Sequence, residues 1–451
     1  MELKKILNYL NIESTSTSLV KGMSTSSKKI EKGYIFIALK GMIDNGNNYI
    51  DEAKKNGAIY ILSDDINSDY YIPSLKEKII PLFLYFYNIT SYPKLIGITG
   101  TNGKTSLARV IYSSLKELNY NVKVISSLGG EGVIESKLTT PSYEELINII
   151  LSNLDLDYLI IECSSIGIKE GRLSSLIFEY LFLTNLEEDH LDYHLNLKNY
   201  WNTKINFLIN QGKVVFIDKN LSKLFLSTPK KGKIIFYSSK YQKIDFSLLH
   251  SVFIYEGEKY TSKIIGLGNV KNLIQLIAFL KYLNISQSKI KNIVENIKLV
   301  NGRMEVISYK PLVILDYAHT ASSLKNAYES IVQLTKKKIV TIIGAGGNRQ
   351  KEKRKEYGRL AFKYSNRVIL TSDNPRNENP YDICLDIISS NKGKYEIIIE
   401  RKKAIEHALK TIKEDEILLI EGKGEEKTIE ISGRIIAHSD KKEVLRILNE
   451  L

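Results

Sequence analysis

Along this chain, short unbroken apolar runs alternate with longer stretches whose apolar positions recur at helical spacing. The runs Tyr34–Leu39, Ala58–Leu62, Lys94–Thr99, Asn121–Ser126, Tyr158–Ile161 and Tyr180–Thr184 read as strands, as do Leu312–Leu315, Ile339–Ile343, Arg367–Thr371 and Glu416–Ile420. Between them, Tyr49–Gly57, Leu107–Leu118, Tyr143–Asn153 and Tyr200–Ile209 read as helices. This alternation predicts an α/β protein built on parallel sheets with flanking helices, in which ligands gather beyond the carboxyl ends of the strands. Shifts in character at Pro93 and near Gly302 divide the pattern into three predicted domains. They are a small α/β unit over residues 1–93, a central sheet over 94–301 and a second, Rossmann-like sheet over 302–451.

The central domain opens on Ile96-Gly-Ile-Thr-Gly-Thr-Asn-Gly-Lys-Thr-Ser106, a strand running into a glycine-rich turn and then a helix. Such a loop suits a triphosphate: glycines admit the phosphate oxygens, the helix N-terminus favours anions, Lys104 reaches a terminal phosphate and Thr105 can ligate magnesium. Gly100 to Ser106 are therefore candidate ATP contacts, and ATP with Mg2+ is the expected pair. The strict pattern requires a glycine where this chain has Ile98, so only its second half is matched.

Composition narrows the class. At 451 residues the chain exceeds one ordinary core, and its formal charge of +13 raises the question of nucleic acid. The lysines are spread along the chain among many acidic residues, which argues for a soluble lysine-rich surface and an anionic substrate rather than a polynucleotide. Cys163 and Cys384 are the only cysteines, no apolar run reaches spanning length, and the first residues lack a signal-like core. A cytoplasmic protein with no membrane insertion, and a monomer, is the expectation.

Further candidates sit at the predicted strand ends. Glu162 follows one strand, and Asn185-Leu-Glu-Glu-Asp-His190 follows another, so Glu162 and His190 are candidate ligands of a divalent metal. Lys204, on a predicted helix, is by itself one lysine among many. The polar loops Ser24–Lys28 and Lys40–Asn48 could hold a nucleotide or sugar, or be turns. Gly344-Ala-Gly-Gly347 is too weak a motif to support a nicotinamide site.

Taken together these segments resemble the Mur ligases, and most closely the branch that adds meso-diaminopimelate to a UDP-N-acetylmuramoyl dipeptide. The resemblance rests on Gly100–Thr105, Thr139-Thr-Pro141, Glu162-Cys-Ser-Ser165 with Arg172, Asp189-His-Leu-Asp-Tyr-His194, Lys204, Gly302-Arg-Met-Glu305, Asp316-Tyr-Ala-His319, Gly346-Gly347 with Arg349, Asp373-Asn-Pro-Arg376, and Gly422-Lys-Gly424 with Glu426. It implies a UDP-binding N-terminal domain, a central ATPase domain and a C-terminal domain that receives the incoming amino acid. It implies peptide-bond formation through an acyl phosphate in peptidoglycan synthesis. It adds Asn272, Arg303, Asp316 and His319 to the ATP contacts, and gives Ser27, Thr139, Thr140, Ser165 and Arg172 to the UDP substrate. Arg349, Asp373, Asn374, Pro375, Arg376, Gly422 and Glu426 fall to the amino acid. Lys104, Glu162, His190 and Lys204 are the implied catalytic set, with Thr105, Glu162, His190 and a CO2-carbamylated Lys204 as metal ligands.

The sequence departs from the family pattern at Ser26, Lys28, Ile166, Asn348 and Glu425. These departures leave open which diamino acid is used, meso-diaminopimelate or an analogue such as meso-lanthionine. The competing readings are a lysine-adding Mur ligase, a folylpolyglutamate synthase-like ligase and, more distantly, a nucleic-acid-stimulated ATPase. Arg376 argues against lysine, which has no distal carboxylate for a guanidinium to grip.

Overall fold

Continuous apolar runs form the strands because parallel strands covered on both faces need no polar alternation. The computed structural model describes all residues except 42–44, 67, 127–128, 226–230, 299–300, 390, 392 and 451, so part of the Lys40–Asn48 loop lies outside the described residues. The chain divides into two compact units, Met1–Gly100 with Leu118–Leu183 and Lys198–Phe236, and Thr101–Glu117 with Thr184–Leu197 and Tyr237–Leu451.

The first unit holds two sheets. Strands β1 (Gly22–Ser24), β2 (Tyr34–Ala38), β3 (Ala58–Ser63) and β4 (Tyr70–Tyr71) pair in parallel in that order. The larger sheet contains β5 (Lys94–Thr99), β6 (Val122–Ser126), β7 (Val133–Glu135), β8 (Tyr158–Glu162), β9 (Phe178–Leu183), β10 (Gly212–Asp218) and β11 (Lys233–Tyr237), in the order β11-β10-β9-β5-β8-β6-β7. β5 lies between β8 and β9, all three parallel, so the sheet order switches direction there and opens a crevice at the carboxyl edge. Ile98 lies inside β5, opposite Glu162 and Phe182, and is fully buried. A strand residue therefore stands where the strict loop pattern has a glycine, because here the loop begins two residues later.

The second unit carries an antiparallel meander that the apolar pattern did not predict, β12 (Gln242–Phe246), β13 (Ser251–Tyr255) and β14 (Glu258–Ser262). Its main sheet consists of β15 (Glu305–Tyr309), β16 (Leu312–Leu315), β17 (Lys338–Ile343), β18 (Arg367–Leu370), β19 (Tyr395–Ile397) and β20 (Glu416–Ile420). The order is β15-β16-β20-β17-β18-β19, parallel except for the β15–β16 pair. Side chains alternate across it, Leu312 and Ile314 entering one core and Val313 and Leu315 the other, so the sheet is covered on both faces. Thr320 starts the Ala321–Leu334 helix with a reciprocal capping box, and Asn379 with Pro380 starts the next helix but one. The hairpin β21 (Thr428–Ile431) and β22 (Arg434–Ala437) follows β20.

Candidate active site

In the second unit, the phosphate-type loop is fixed by the segment that follows β9. Thr101 N–H donates to the Asn185 carbonyl at 3.1 Å, Asn102 N–H to Asn185 Oδ1 at 3.0 Å, and Thr184 Oγ1 to the Asn102 carbonyl at 2.6 Å. Gly103 has φ +83°, a left-handed backbone that favours glycine, and a Cβ there would lie 3.1 Å from the Asn272 side chain. The two predicted ATP residues Gly103 and Asn272 thus meet. Lys104 opens the Lys104–Glu117 helix with Thr105 and Ser106 in its first turn, and its ammonium donates to the Thr101 carbonyl at 2.8 Å.

The same segment carries Asp189 and His190. Burial would raise the Asp189 carboxyl, but neighbouring cations outweigh it and hold it well below the usual range. Burial, with Lys104, Lys353 and Arg349 nearby, outweighs Asp189 and lowers the His190 imidazole to about 4, so it is neutral at pH 7. Lys353 Nζ, 2.8 Å from Asp189 Oδ1, is then the cation that keeps that carboxylate ionised. Asp316 accepts from Met304 N–H at 2.7 Å and Ala318 N–H at 3.0 Å; burial raises its carboxyl against the pull of Arg303. The Arg303 guanidinium stacks 4.0 Å from the Tyr317 ring, and His319 Nδ1 lies 2.9 Å from the Tyr317 carbonyl.

The loops after β16, β17, β18 and β20 gather at one edge of the main sheet. Gly422 N–H donates to the Asp316 carbonyl at 3.1 Å, which joins the predicted nucleotide and amino-acid residues. Its φ of +103° favours glycine, and Asp373 Oδ2 lies 2.7 Å from where a Cβ would stand. Arg376 donates through Nη1 to the Gly347 carbonyl at 2.7 Å and pairs through Nε with Glu430 at 3.2 Å. Pro375 precedes it in the turn, and Arg349 lies 3.8 Å from Asp192. Asn374 Nδ2 donates to Glu426 Oε2 at 3.1 Å. Lys423 is fully buried, with Nζ 2.7 Å from Glu426, 3.3 Å from Asn374 Oδ1 and 3.4 Å from Asp373.

In the first unit, Glu162 ends β8, is buried, and accepts from Ser126 Oγ at 3.1 Å. Thr140 Oγ1 donates to the Glu162 carbonyl at 2.8 Å, and Arg172 Nη1 to the Thr140 carbonyl at 2.7 Å. Ser165 lies buried in the Ser165–Lys169 helix that Ser164 caps, and Thr139 is half-buried beside Thr140. Ser27 donates to Glu52 at 2.6 Å, and Ser24 and Thr25 donate to Glu144 Oε2 at 3.2 and 3.1 Å. Lys204 is buried in the Leu197–Gln211 helix, its Nζ 2.8 Å from Tyr200 Oη and 4.3 Å from that ring.

Among the described residues no three His, Cys, Asp or Glu side chains converge as a metal cage. The Thr105 hydroxyl in the second unit and the Glu162 carboxylate in the first are each hard oxygens of the kind magnesium takes, with phosphate and water oxygens completing its shell. Sequence reasoning missed Lys353, Glu187, Ser322, Lys423 and Glu430. Glu187 and Lys423 lay within quoted motifs; the others depend on contacts distant in sequence.

Two family models match the chain: the Mur ligase middle domain over residues 98–280 and the Mur ligase glutamate ligase domain over residues 302–424. A protein of Caldanaerobacter subterraneus subsp. tengcongensis named UDP-N-acetylmuramoyl-L-alanyl-D-glutamate--2,6-diaminopimelate ligase is 32% identical over 95% of this chain and 94% of its own length. A ligase of the same name from Wigglesworthia glossinidia brevipalpis is 34% identical over 96% of each chain. A solved structure of a ligase of that name aligns with a TM-score of 0.70 at 26% identity, covering 100% of this chain and 99% of its own. The MurF ligase of Thermotoga maritima, at 18% identity and a TM-score of 0.64 over 96% and 97%, shares the fold.

Proposed function

This chain belongs to the Mur ligase family, and on that premise we propose that it joins meso-diaminopimelate, or a close analogue such as meso-lanthionine, to UDP-N-acetylmuramoyl-L-alanyl-D-glutamate. It is an ATP-dependent, ADP-forming ligase of peptidoglycan synthesis that uses ATP with Mg2+. The reading extends to a monomeric enzyme in the cytoplasm, where both nucleotides are available. Among the described residues no helix is long and apolar enough to cross a membrane. Domain boundaries near residues 93 and 301 are part of the same proposal.

The observation that carries the reading is a run of contacts within the second unit. Asn102, in the phosphate loop, donates to Ser322 Oγ at 2.9 Å, in the helix that follows β16. From there Tyr357 Oη donates to the His319 carbonyl at 2.5 Å. Arg354, in the same helix as Tyr357, donates to the Gly346 carbonyl at 3.2 Å, and Arg376 to the adjacent Gly347 carbonyl. The polyphosphate loop and the turn carrying Arg376 are parts of one packed body, as handing an activated carboxyl to an amine requires.

The chemistry follows from charge. A carboxylate attacking a triphosphate meets like-charge repulsion, which Lys104 offsets at the transferred phosphoryl group. When bound, magnesium supplies further positive charge there, and Thr105, Glu162, His190 and a carbamylated Lys204 are its proposed ligands. The acyl phosphate so formed is attacked by the unprotonated amine, the tetrahedral adduct collapses, and phosphate leaves. Protein groups chiefly hold the reactants in line, an effect that reaches roughly 7–11 kcal/mol in favourable cases. His190 is neutral and orients metal or phosphate; it is not the general base.

Gly100–Ser106, Asn272, Arg303, Asp316 and His319 are proposed for ATP, and Ser27, Thr139, Thr140, Ser165 and Arg172 for the UDP substrate. Arg376 and Arg349 would hold carboxylates of the amino acid, with Asp373, Asn374 and Pro375 shaping the turn and Gly422 and Glu426 near the distal ammonium.

The test is ADP release with the UDP-muramoyl dipeptide and meso-diaminopimelate, meso-lanthionine or lysine. Release that depends on the first two and is weak with lysine is expected. No amine-dependent release with any of them would overturn the reading, and equal use of lysine would remove the role given to Arg376.

A further inference from the structure

His190 adopts a left-handed backbone, φ +49°, which a non-glycine residue holds only when its surroundings impose it. Asp189 imposes it from one side: its Oδ1 accepts the His190 N–H at 2.9 Å, and its Oδ2 lies 3.3 Å from the ring Nε2. The Leu191–His194 turn holds the other side, the His190 carbonyl accepting from the Tyr193 and His194 N–H groups at 3.1 and 2.9 Å. One carboxylate thus fixes both the backbone and the ring of the histidine.

That carboxylate is itself held from 164 residues away. Lys353 Nζ meets Asp189 Oδ1 at 2.8 Å, and the two side chains are only 21% and 11% exposed, so solvent screens the pair less than a surface pair. Lys353 stands in the first turn of the Lys351–Tyr364 helix, where the helix dipole disfavours a cation, so helix stability does not account for a lysine here. Its neighbours fix its place. Buried Arg354 donates to Glu378 and Asp386 at 2.8 Å each, and Tyr357 Oη donates to the His319 carbonyl.

We propose that Lys353 is a positioning residue: it holds Asp189, and through Asp189 it sets the backbone and ring of His190 for the metal-bound nucleotide. The proposal rests on the reading above that ATP and Mg2+ bind at the phosphate loop with His190 beside them.

The test measures binding of a non-hydrolysable ATP analogue, with Mn2+ and again in EDTA. The proteins are wild type, Lys353→Gln, Lys353→Arg, Asp189→Asn and the double variant K353Q/D189N. Affinity for the Mn2+ form is expected to fall about tenfold in K353Q, the order of one lost charge-assisted hydrogen bond, while affinity in EDTA stays as in wild type. K353R should recover part of the loss. The double variant should bind no more weakly than D189N, because both changes break the same chain of contacts. Equal loss with and without metal, as a merely structural role would give, would overturn the proposal. So would losses that multiply in the double variant, or wild-type binding in K353Q. Should K353Q fail to fold, D189N decides alone, and wild-type affinity for the Mn2+ form in that variant sinks the proposal. An active wild-type ligase with unchanged K353Q leaves the ligase reading standing and removes the proposal. If wild type releases no ADP with any amine while K353Q still loses its metal-dependent affinity, the ligase reading falls and the positioning role stands.

Discussion

Asn102 and Ser322, which lie 220 residues apart in sequence, share a hydrogen bond of 2.9 Å from Nδ2 to Oγ, and both donate to Glu187 Oε2, at 2.7 and 2.6 Å. The carboxylate ties the phosphate loop to the start of the Ala321–Leu334 helix. Hydrogen bonds to a charged group contribute about 1.5–3 kcal/mol. Ser322→Ala should therefore lower kcat/KM for ATP by about tenfold and speed amide exchange in the 101–106 loop, with little change in KM for the amino acid. Unaltered ATP kinetics would show that the link does not order the loop.

Lys204 offers a second test. Its side chain is buried against the Tyr200 hydroxyl and ring, and carbamylation requires its neutral amine to attack the carbon of CO2. Lys204→Ala should lose nearly all activity, and formate or acetate should restore part of it by supplying the missing carboxylate. A carbamate carbon signal in wild type supplied with 13CO2 should be absent from the variant. Full activity in Lys204→Ala would remove the carbamate from the mechanism.

Much of this was legible in sequence because parallel strands announce themselves as apolar runs and their ligand loops as glycine and charge just beyond. Lys94–Thr99, Leu312–Leu315 and Glu416–Ile420 begin and end where expected. The β12–β14 meander was not predicted: β12, Gln-Lys-Ile-Asp-Phe, is largely polar, and its stability comes from pairing rather than composition. Lys353 escaped notice because its partner Asp189 is distant in sequence, and Glu430 because the hairpin that carries it is exposed and reads as a polar turn. Long-range ion pairs leave no periodic trace.

The buried Arg401–Asp440 pair predicts an acid limb in stability. Arg401 donates through Nε and Nη2 to Asp440 at 2.8 and 2.7 Å, and both side chains are shielded from solvent. Burial alone would raise the Asp440 carboxyl, but Arg401 and His438 hold it well below the usual range. A carboxyl depressed in the fold contributes stability in full above its unfolded value, about 3.9, and loses it as pH falls through the lower folded value. Unfolding free energy in wild type should therefore drop below about pH 4. Asp440→Asn should flatten that drop and, by leaving Arg401 buried without its charge partner, cost about 3–5 kcal/mol at neutral pH. Denaturant titrations from pH 3 to 8 would reveal both effects, and an unchanged acid limb in the variant would exclude Asp440 as its source.

Glu421 acts in the opposite sense. It follows β20, is fully buried, and neither carboxyl oxygen meets a hydrogen-bond partner among the described residues. Burial, reinforced by Asp316 and only partly opposed by Arg401, pushes its carboxyl well above the ordinary value. A carboxyl raised in the fold gives its full contribution below the unfolded value, about 4.3, and loses it as pH rises toward the folded value. At pH 7 the fold therefore bears the cost of keeping this side chain protonated or burying its charge. Glu421→Gln keeps the shape without an ionisable group and should melt at a higher temperature than wild type at pH 7–8. The two curves should converge near pH 4, where wild-type Glu421 is protonated in both states. A variant less stable than wild type at neutral pH would mean that the carboxylate is ionised in the fold and compensated there.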